Sequence, residues 1–263
     1  GTTTTQGQQG YPTISTATSV TKTGGGTLVF DSPNTYTGPT RVDAGTLALT
    51  SAAAVQSSPL TVRTGGAVTL PSAARLLVST PGLTVDEAPG GGVLNLGAGQ
   101  VTIAAGGITA AALRADIIAG RNGGAWNGTT GINSSVAAAS GGTRAVGYVV
   151  DGDGAARVSF AASGDVDLSG AVNVFDLVSI NSSGRYGTGS ASVWSQGDFN
   201  YDGVTNVFDL VAVNTAGVYG QGNYFPSALG AVGNLAPVPE PSLAVGPILA
   251  AGLTGLRLLR KRR

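Results

Sequence analysis

The sequence has 263 residues, with 43 Gly and 12 Pro, 42% hydrophobic and only 11% charged residues. That supplies a core for one large or two modest domains, on a backbone punctuated too often for a mainly helical protein. Cys, His and Met are all zero, which excludes disulfides, cysteine nucleophiles, histidine-containing triads, zinc sites, haem ligation and iron–sulfur clusters.

The 14 basic and 14 acidic residues cancel, but unevenly. Five of the basic ones are Arg257, Arg260, Lys261, Arg262 and Arg263, so nine face fourteen acids in the rest of the chain. Six of those acids fall between Asp165 and Asp209, opposed there by Arg185 alone. A body of this sign lacks the basic face that nucleic acid requires, and its acidic cluster asks for a cation. An enzyme without histidine would work with carboxylates, tyrosine or lysine, and Lys22 is the sole lysine before residue 261. No catalytic residues are expected. The start, GTTTTQGQQG, has no initiator Met and no signal peptide pattern, as expected of a fragment or a processed form.

Residues 20–105 contain a loose repeat. GTLVF (26–30), GTLAL (45–49), GAVTL (66–70) and GVLNL (92–96) each place Gly before a short β-prone run, with turn signals such as DSPN and PGG between them. A period near 20 residues with short strands predicts a β-solenoid whose stacked coils share one core. Leu28, Leu47, Val68 and Leu94 are expected to point inward. The alternative is a β-sandwich with Gly-rich hairpins. The segment 26–49 resembles the autotransporter-associated β-strand repeat, through Asn34, Thr35, Tyr36, Thr37, Gly38, Thr40, Gly45, Thr46 and Leu47. That resemblance implies a β-helical stalk on a bacterial surface.

Residues 108–162 read as an α+β connector. Leu113, Ile117 and Ile118 have helical spacing, with Thr109 as N-cap and Gly123-Gly124 as the stop. AVGYVV (145–150) and ARVSFA (156–161) read as strands. Between them Asp151 and Asp153 form a hairpin turn or, alternatively, a calcium ligand pair. Trp126 is either a core residue or a sugar-stacking one.

Residues 165–176 (DVDLSGAVNVFD) and 198–209 (DFNYDGVTNVFD) repeat one pattern: oxygen side chains at positions 1, 3 and 5, Gly at 6, Asn at 9 and Asp at 12. Calcium needs about 6–8 oxygens, and a twelve-residue loop can wrap it only by turning sharply midway. Gly170 and Gly203 allow that turn. Position 7 offers a backbone carbonyl (Ala171, Val204), and position 12 opens an apolar helical run. The competing reading is two Asx-rich turns.

This stretch resembles the type I dockerin, two calcium loops each followed by a helix. The resemblance implies two bound Ca2+ ions: one on Asp165, Asp167, Ser169, Asn173 and Asp176, the other on Asp198, Asn200, Asp202, Asn206 and Asp209. Ser169 stands where Asp is usual, so the first loop is expected to be the weaker site or to recruit a water. Cohesin-binding dockerins carry small hydroxyl or polar residues at positions 10 and 11. This chain has Val174-Phe175 and Val207-Phe208 there, which argues against a cohesin-like partner.

The C-terminus combines VPEPS (238–242), the 16 uncharged residues 241–256 and RLLRKRR. Sixteen helical residues cover about 24 Å, short of a hydrocarbon core of about 30 Å unless Arg257 snorkels. The tail resembles the PEP-CTERM sorting signal, with Pro239, Glu240 and Pro241 as its motif. That resemblance implies transient anchoring in the inner membrane, an exosortase-type processing enzyme and export. A plain membrane anchor is the simpler alternative.

The expected organisation is therefore mainly β. A β-solenoid repeat region (1–107) is followed by the connector (108–162), a small α-helical dockerin-like calcium-binding module (163–221), a linker (222–237) and the sorting signal with its transmembrane helix (238–263). The combination is similar to large exported proteins of Planctomycetes-type bacteria. It implies a non-enzymatic, calcium-stabilised structural or adhesive protein at the cell surface or in the extracellular matrix, where polysaccharide is an expected partner. The alternative is the C-terminal part of an exported carbohydrate-active enzyme, docked to a scaffold, whose catalytic domain precedes residue 1.

Overall fold

The computed structural model describes residues 3–5 and 18–226. In chain order the elements are β1 (Thr3–Thr5), β2 (Val20–Lys22), β3 (Thr27–Phe30), β4 (Thr40–Val42), β5 (Gly45–Leu49), β6 (Leu60–Val62), β7 (Gly66–Thr69), β8 (Leu77–Thr80), β9 (Leu83–Val85), β10 (Val93–Asn95) and β11 (Gln100–Ile103). There follow α1 (Ala110–Arg121), β12 (Gly131–Asn133), the short α2 (Ser135–Ala138), β13 (Ala145–Val150), β14 (Ala156–Ala161), α3 (Val174–Ser182) and α4 (Val207–Ala216).

Strands this short cannot bury an apolar face alone, so they stack coil upon coil. One sheet runs β1-β3-β5-β7-β10-β12 and a second runs β2-β4-β6-β9, each parallel throughout. This is a β-solenoid, and the sandwich alternative falls away. The four residues expected to face inward lie in one row: Leu28 pairs with Leu47, Leu47 with Val68, Val68 with Leu94, and Leu94 with Ile132. Leu47, Val68, Leu94 and Ile132 are fully buried, while Leu28 is half-buried. The second sheet contributes the parallel row Val42, Val62 and Val85.

The Gly that opens the later repeats has a steric reason. A Cβ on Gly66 would lie 2.3 Å from the carbonyl oxygen of Val42, and one on Gly92 would lie 2.3 Å from that of Val62. The backbone of one coil passes where a side chain of the next would stand.

Polar motif residues turn inward and find partners across coils. Buried Asn34 donates to the carbonyl of Ala54 at 3.0 Å. The buried hydroxyls of Tyr36, Thr40 and Ser58 form a chain, with Thr40 and Ser58 2.7 Å apart, and Thr80 donates to the Ser58 carbonyl at 2.9 Å. Lys22, in register with Val42, is also buried; its Nζ donates to the carbonyls of Thr23, Gly24 and Ala44.

The third sheet is mixed in strand direction. β8 and β11 are parallel, but β14 pairs antiparallel with β11 and then with β13. The β13–β14 connection is the expected hairpin. Asp153 caps the turn by accepting from the Ala155 amide at 2.9 Å, and Asp151 pairs with Arg157 at 3.2 Å. Helix α1 begins at the expected cap, with the Thr109 hydroxyl accepting from the Ala112 amide at 3.1 Å. It ends at left-handed Asn122, just before the glycine pair. Leu113 and Ile117 are buried, whereas Ile118 faces solvent. Trp126 is buried, in keeping with the core reading.

The expected transmembrane helix and the Pro239-Glu240-Pro241 motif lie outside the described residues. Among the described residues, no helix is long and apolar enough to cross a membrane.

Two predictions follow from packing and burial. Gly66→Ala should cost about 1–3 kcal/mol through overpacking against the Val42 carbonyl. Gly25→Ala, where a Cβ meets nothing within 4 Å, should change stability by less than about 0.5 kcal/mol. Denaturant melts of both variants check this. The second concerns Asp116, buried on α1. Burial, reinforced by the adjacent Glu87 carboxyl, pushes its carboxyl up to about 8. The folded state therefore holds a proton that the unfolded state releases near pH 4. This stabilisation is complete below that pH and fades as pH rises through about 8. Asp116→Asn should flatten the fall in melting temperature across that window, as thermal melts at its two ends would show.

Candidate metal centre

The two acidic loops rest on the β13–β14 hairpin. Trp194, fully buried, lies in the space left by the missing side chain of Gly147, where a Cβ would come within 2.5 Å of its ring. Its indole N–H donates to the Asp165 carbonyl at 2.8 Å, and its ring meets Phe199 edge-on at 4.9 Å. The Tyr201 hydroxyl donates to the Val146 carbonyl at 2.7 Å, with its ring against Tyr148 and Trp126. Val166, Leu168, Ile180, Trp194, Phe199 and Tyr201 thus belong to the same apolar cluster as the solenoid interior. Each loop enters this core through its own residues.

The loops are copies in backbone as well as in sequence. Position 4 is left-handed in both (Leu168, φ 61; Tyr201, φ 62), and position 6 is Gly at φ 93 in both. A non-glycine residue persists in that conformation only where its surroundings hold it, and here both position 4 side chains are buried anchors. At position 1, Asp165 Oδ2 accepts from the Gly170 amide at 2.8 Å and Asp198 Oδ2 from the Gly203 amide at 3.1 Å. At position 12, Asp176 accepts from the amides of Val166 and Asn173, and Asp209 from those of Phe199, Asn200 and Asn206. At position 9, Asn173 and Asn206 cap α3 and α4, each accepting at 2.8 Å from the amide two residues on. Asp176 and Asp209 complete capping boxes.

In the first loop, the carboxylates of Asp165, Asp167 and Asp176 each offer an oxygen, all within 4.8 Å of one another. Ser169 Oγ donates across the loop to the Ala171 carbonyl at 3.3 Å. In the second loop Asp198 and Asp209 are buried while Asp202 is exposed, and Asp202 accepts from the amides of Val204 at 2.9 Å and of the Asn200 side chain at 2.9 Å. Among the described residues, Asp165, Asp167 and Asp176 are the one carboxylate trio gathered so closely.

Burial raises the carboxyls of Asp176, Asp198 and Asp209, and raises that of Asp165 to about 6, against the pull of the hydrogen bonds they accept. Asp167 and Asp202 feel burial in the same direction, but hydrogen bonds hold them below the usual range. Burying several carboxylates together is unfavourable unless a cation compensates.

The helices after the loops face the other way. Phe175 is 77% and Phe208 67% exposed, with Val174, Val178, Val207 and Val211 also in solvent. Between α3 and α4 lies an open groove of about 420 Å³, lined by Leu177, Leu210, Val213, Asn214, Gly217 and Tyr219.

Three residues around the loops have no signal in the local motif. Arg114 of α1 donates to Asp198 at 3.3 Å and to the Tyr201 carbonyl at 3.0 Å. The Tyr224 hydroxyl donates to Asp165 Oδ2 at 2.5 Å. Arg75, stacked 3.7 Å over the Phe225 ring, reaches the Leu168 carbonyl at 3.5 Å. All three come from outside the twelve-residue pattern.

Residues 20–49 match the family of the passenger-associated-transport-repeat, which bears out the repeat resemblance over one unit. No curated protein and no solved structure is significantly similar to the chain.

The hydrogen bonding orders the loop residues by importance. Asp209→Ala leaves three backbone amides without their acceptor and should cost about 3 kcal/mol or more. Asn206→Ala removes one cap and should cost about 1 kcal/mol. Chemical denaturation of both variants under the same conditions gives the ranking.

Proposed function

We propose that the chain is a non-enzymatic, calcium-stabilised structural or adhesive protein of the bacterial surface, its two acidic loops each holding one Ca2+. The observation that carries this reading is the first loop, where three carboxylates converge and burial works against the charge of two of them, Asp165 and Asp176. The donor set suits calcium, a hard cation served by carboxylate, amide and carbonyl oxygens. The second loop adds a buried oxygen, Asp198 Oδ1, that has no hydrogen-bond partner. Asp165, Asp167, Asp176 and the carbonyl of Ala171 would hold the first ion. Asp198, Asn200, Asp202, Asp209 and the carbonyl of Val204 would hold the second, with Ser169, Asn173 and Asn206 completing the loops.

The repeat match points to an exported surface protein. Export fits a calcium requirement, since modules outside cells bind the ion at about 0.1–1 mM. The tail with Pro239, Glu240 and Pro241 supports a PEP-CTERM route through an exosortase-type enzyme at the inner membrane. Extracellular polysaccharide is the partner class for the finished protein.

Since binding to the folded state alone adds to stability, sites with dissociation constants of about 10 μM would add about 2.7 kcal/mol each at 1 mM calcium. The full chain should therefore melt at a higher temperature in millimolar calcium than in EDTA, with magnesium a weaker substitute. Superimposable melting curves in calcium and in EDTA would sink the proposal.

A further inference from the structure

The two loops match in sequence and backbone but not in the charge around them. In both, the position 4 carbonyl accepts from a guanidinium brought in by the rest of the fold: Leu168 from Arg75 at 3.5 Å, Tyr201 from Arg114 at 3.0 Å. There the likeness ends. Arg75 donates to Gln100 Oε1 at 2.8 Å and stacks on the Phe225 ring, and Arg157 donates to the Asp167 carbonyl at 3.2 Å. The charge of Arg75 reaches Asp165 without forming an ion pair with it. The position 1 carboxylate beside it, Asp165, is met by the uncharged hydroxyl of Tyr224. Arg114 instead forms an ion pair with Asp198 at 3.3 Å. The Asp198 carboxylate is 1% exposed and the Arg114 side chain 28%, so water reaches the pair from the arginine side only.

The first loop therefore gathers three carboxylates, none of which is ion-paired among the described residues. The second already carries a fixed positive charge on its position 1 ligand. A cation entering there meets a less negative site and must compete for Asp198 Oδ2; only Oδ1 is unengaged. We infer that Arg114 is a built-in counter-charge that weakens the second loop as a cation site and leaves the first loop the tighter of the two. This rests on the calcium reading and reverses the order suggested by Ser169 alone. Each loop carries three carboxylates, since Asp167 in the first offsets Asp202 in the second, so the guanidinium held on a buried ligand sets the difference between them.

Calorimetric titration of calcium chloride into the chelator-stripped full chain tests the inference. The wild type should show two unequal sites. Asp167→Asn, at an exposed ligand of the first loop, should weaken the tighter step, and Asp202→Asn, at an exposed ligand of the second, the weaker step. Arg114→Gln should tighten the weaker step by about tenfold, the scale of removing one nearby positive charge, while Arg114→Lys leaves it weak. Loss of the tighter step in Asp202→Asn, or unchanged constants in Arg114→Gln, overturns the role of the arginine while the calcium reading survives. Should Arg114→Gln fail to fold, the two aspartate variants decide the order of the sites by themselves. Absence of any binding by the wild type overturns the calcium reading itself.

Discussion

Parallel stacking of coils in a single register is the constraint on which the rest of this structure depends. Because Leu28, Leu47, Val68, Leu94 and Ile132 lie in one row, each coil buries its neighbour's inward side chain, and none could do so alone. The same register brings the backbone of one coil against the next at Gly66 and Gly92, which leaves no room for a Cβ. It also aligns the polar side chains that point inward. The Tyr36, Thr40 and Ser58 hydroxyls satisfy one another across coils, and Lys22 is tolerated in a core row because three carbonyls surround its ammonium.

The stack ends where its direction changes. β14 joins β11 antiparallel, and its hairpin partner β13 presents Gly147 and the Val146 carbonyl to the acidic loops. Trp194 and Tyr201 are seated on that surface, so a single apolar cluster runs from the coils into the loops. The loops and the stack are thereby linked: the Asp165 carbonyl is held by Trp194, and the Asp165 carboxylate is a candidate ligand. This explains how loops with so little core of their own keep their geometry.

The electrostatics of the loops show two ways of keeping carboxylates under cover. Position 12 in each loop is compensated locally, by the amides at the start of the helix it opens. Position 1 accepts from the amide of the position 6 Gly in both loops and, in addition, from a group the fold brings from a distance, a tyrosine hydroxyl in one loop and an arginine in the other. Local compensation is alike in the two copies because the local sequence is alike. Distant compensation differs because residues 114 and 224 belong to no repeat.

The sequence by itself determined the periodic features: the Gly-led runs of the solenoid, its inward row, the cap at Thr109, the hairpin and the spacing of the twelve-residue loops. These are legible because each depends on residues close together in the chain, whose geometry is set by strand alternation, helix capping and turn chemistry. Only the tertiary structure decided that β12 completes the first sheet, that Asp116 is buried beside Glu87, and that Phe175 and Phe208 face solvent rather than a core. It alone put Arg114 on Asp198 and Trp194 under Asp165. Those contacts join residues 84 and 29 positions apart. No periodicity encodes them, because they arise where independently formed elements meet, and there packing chooses the partner.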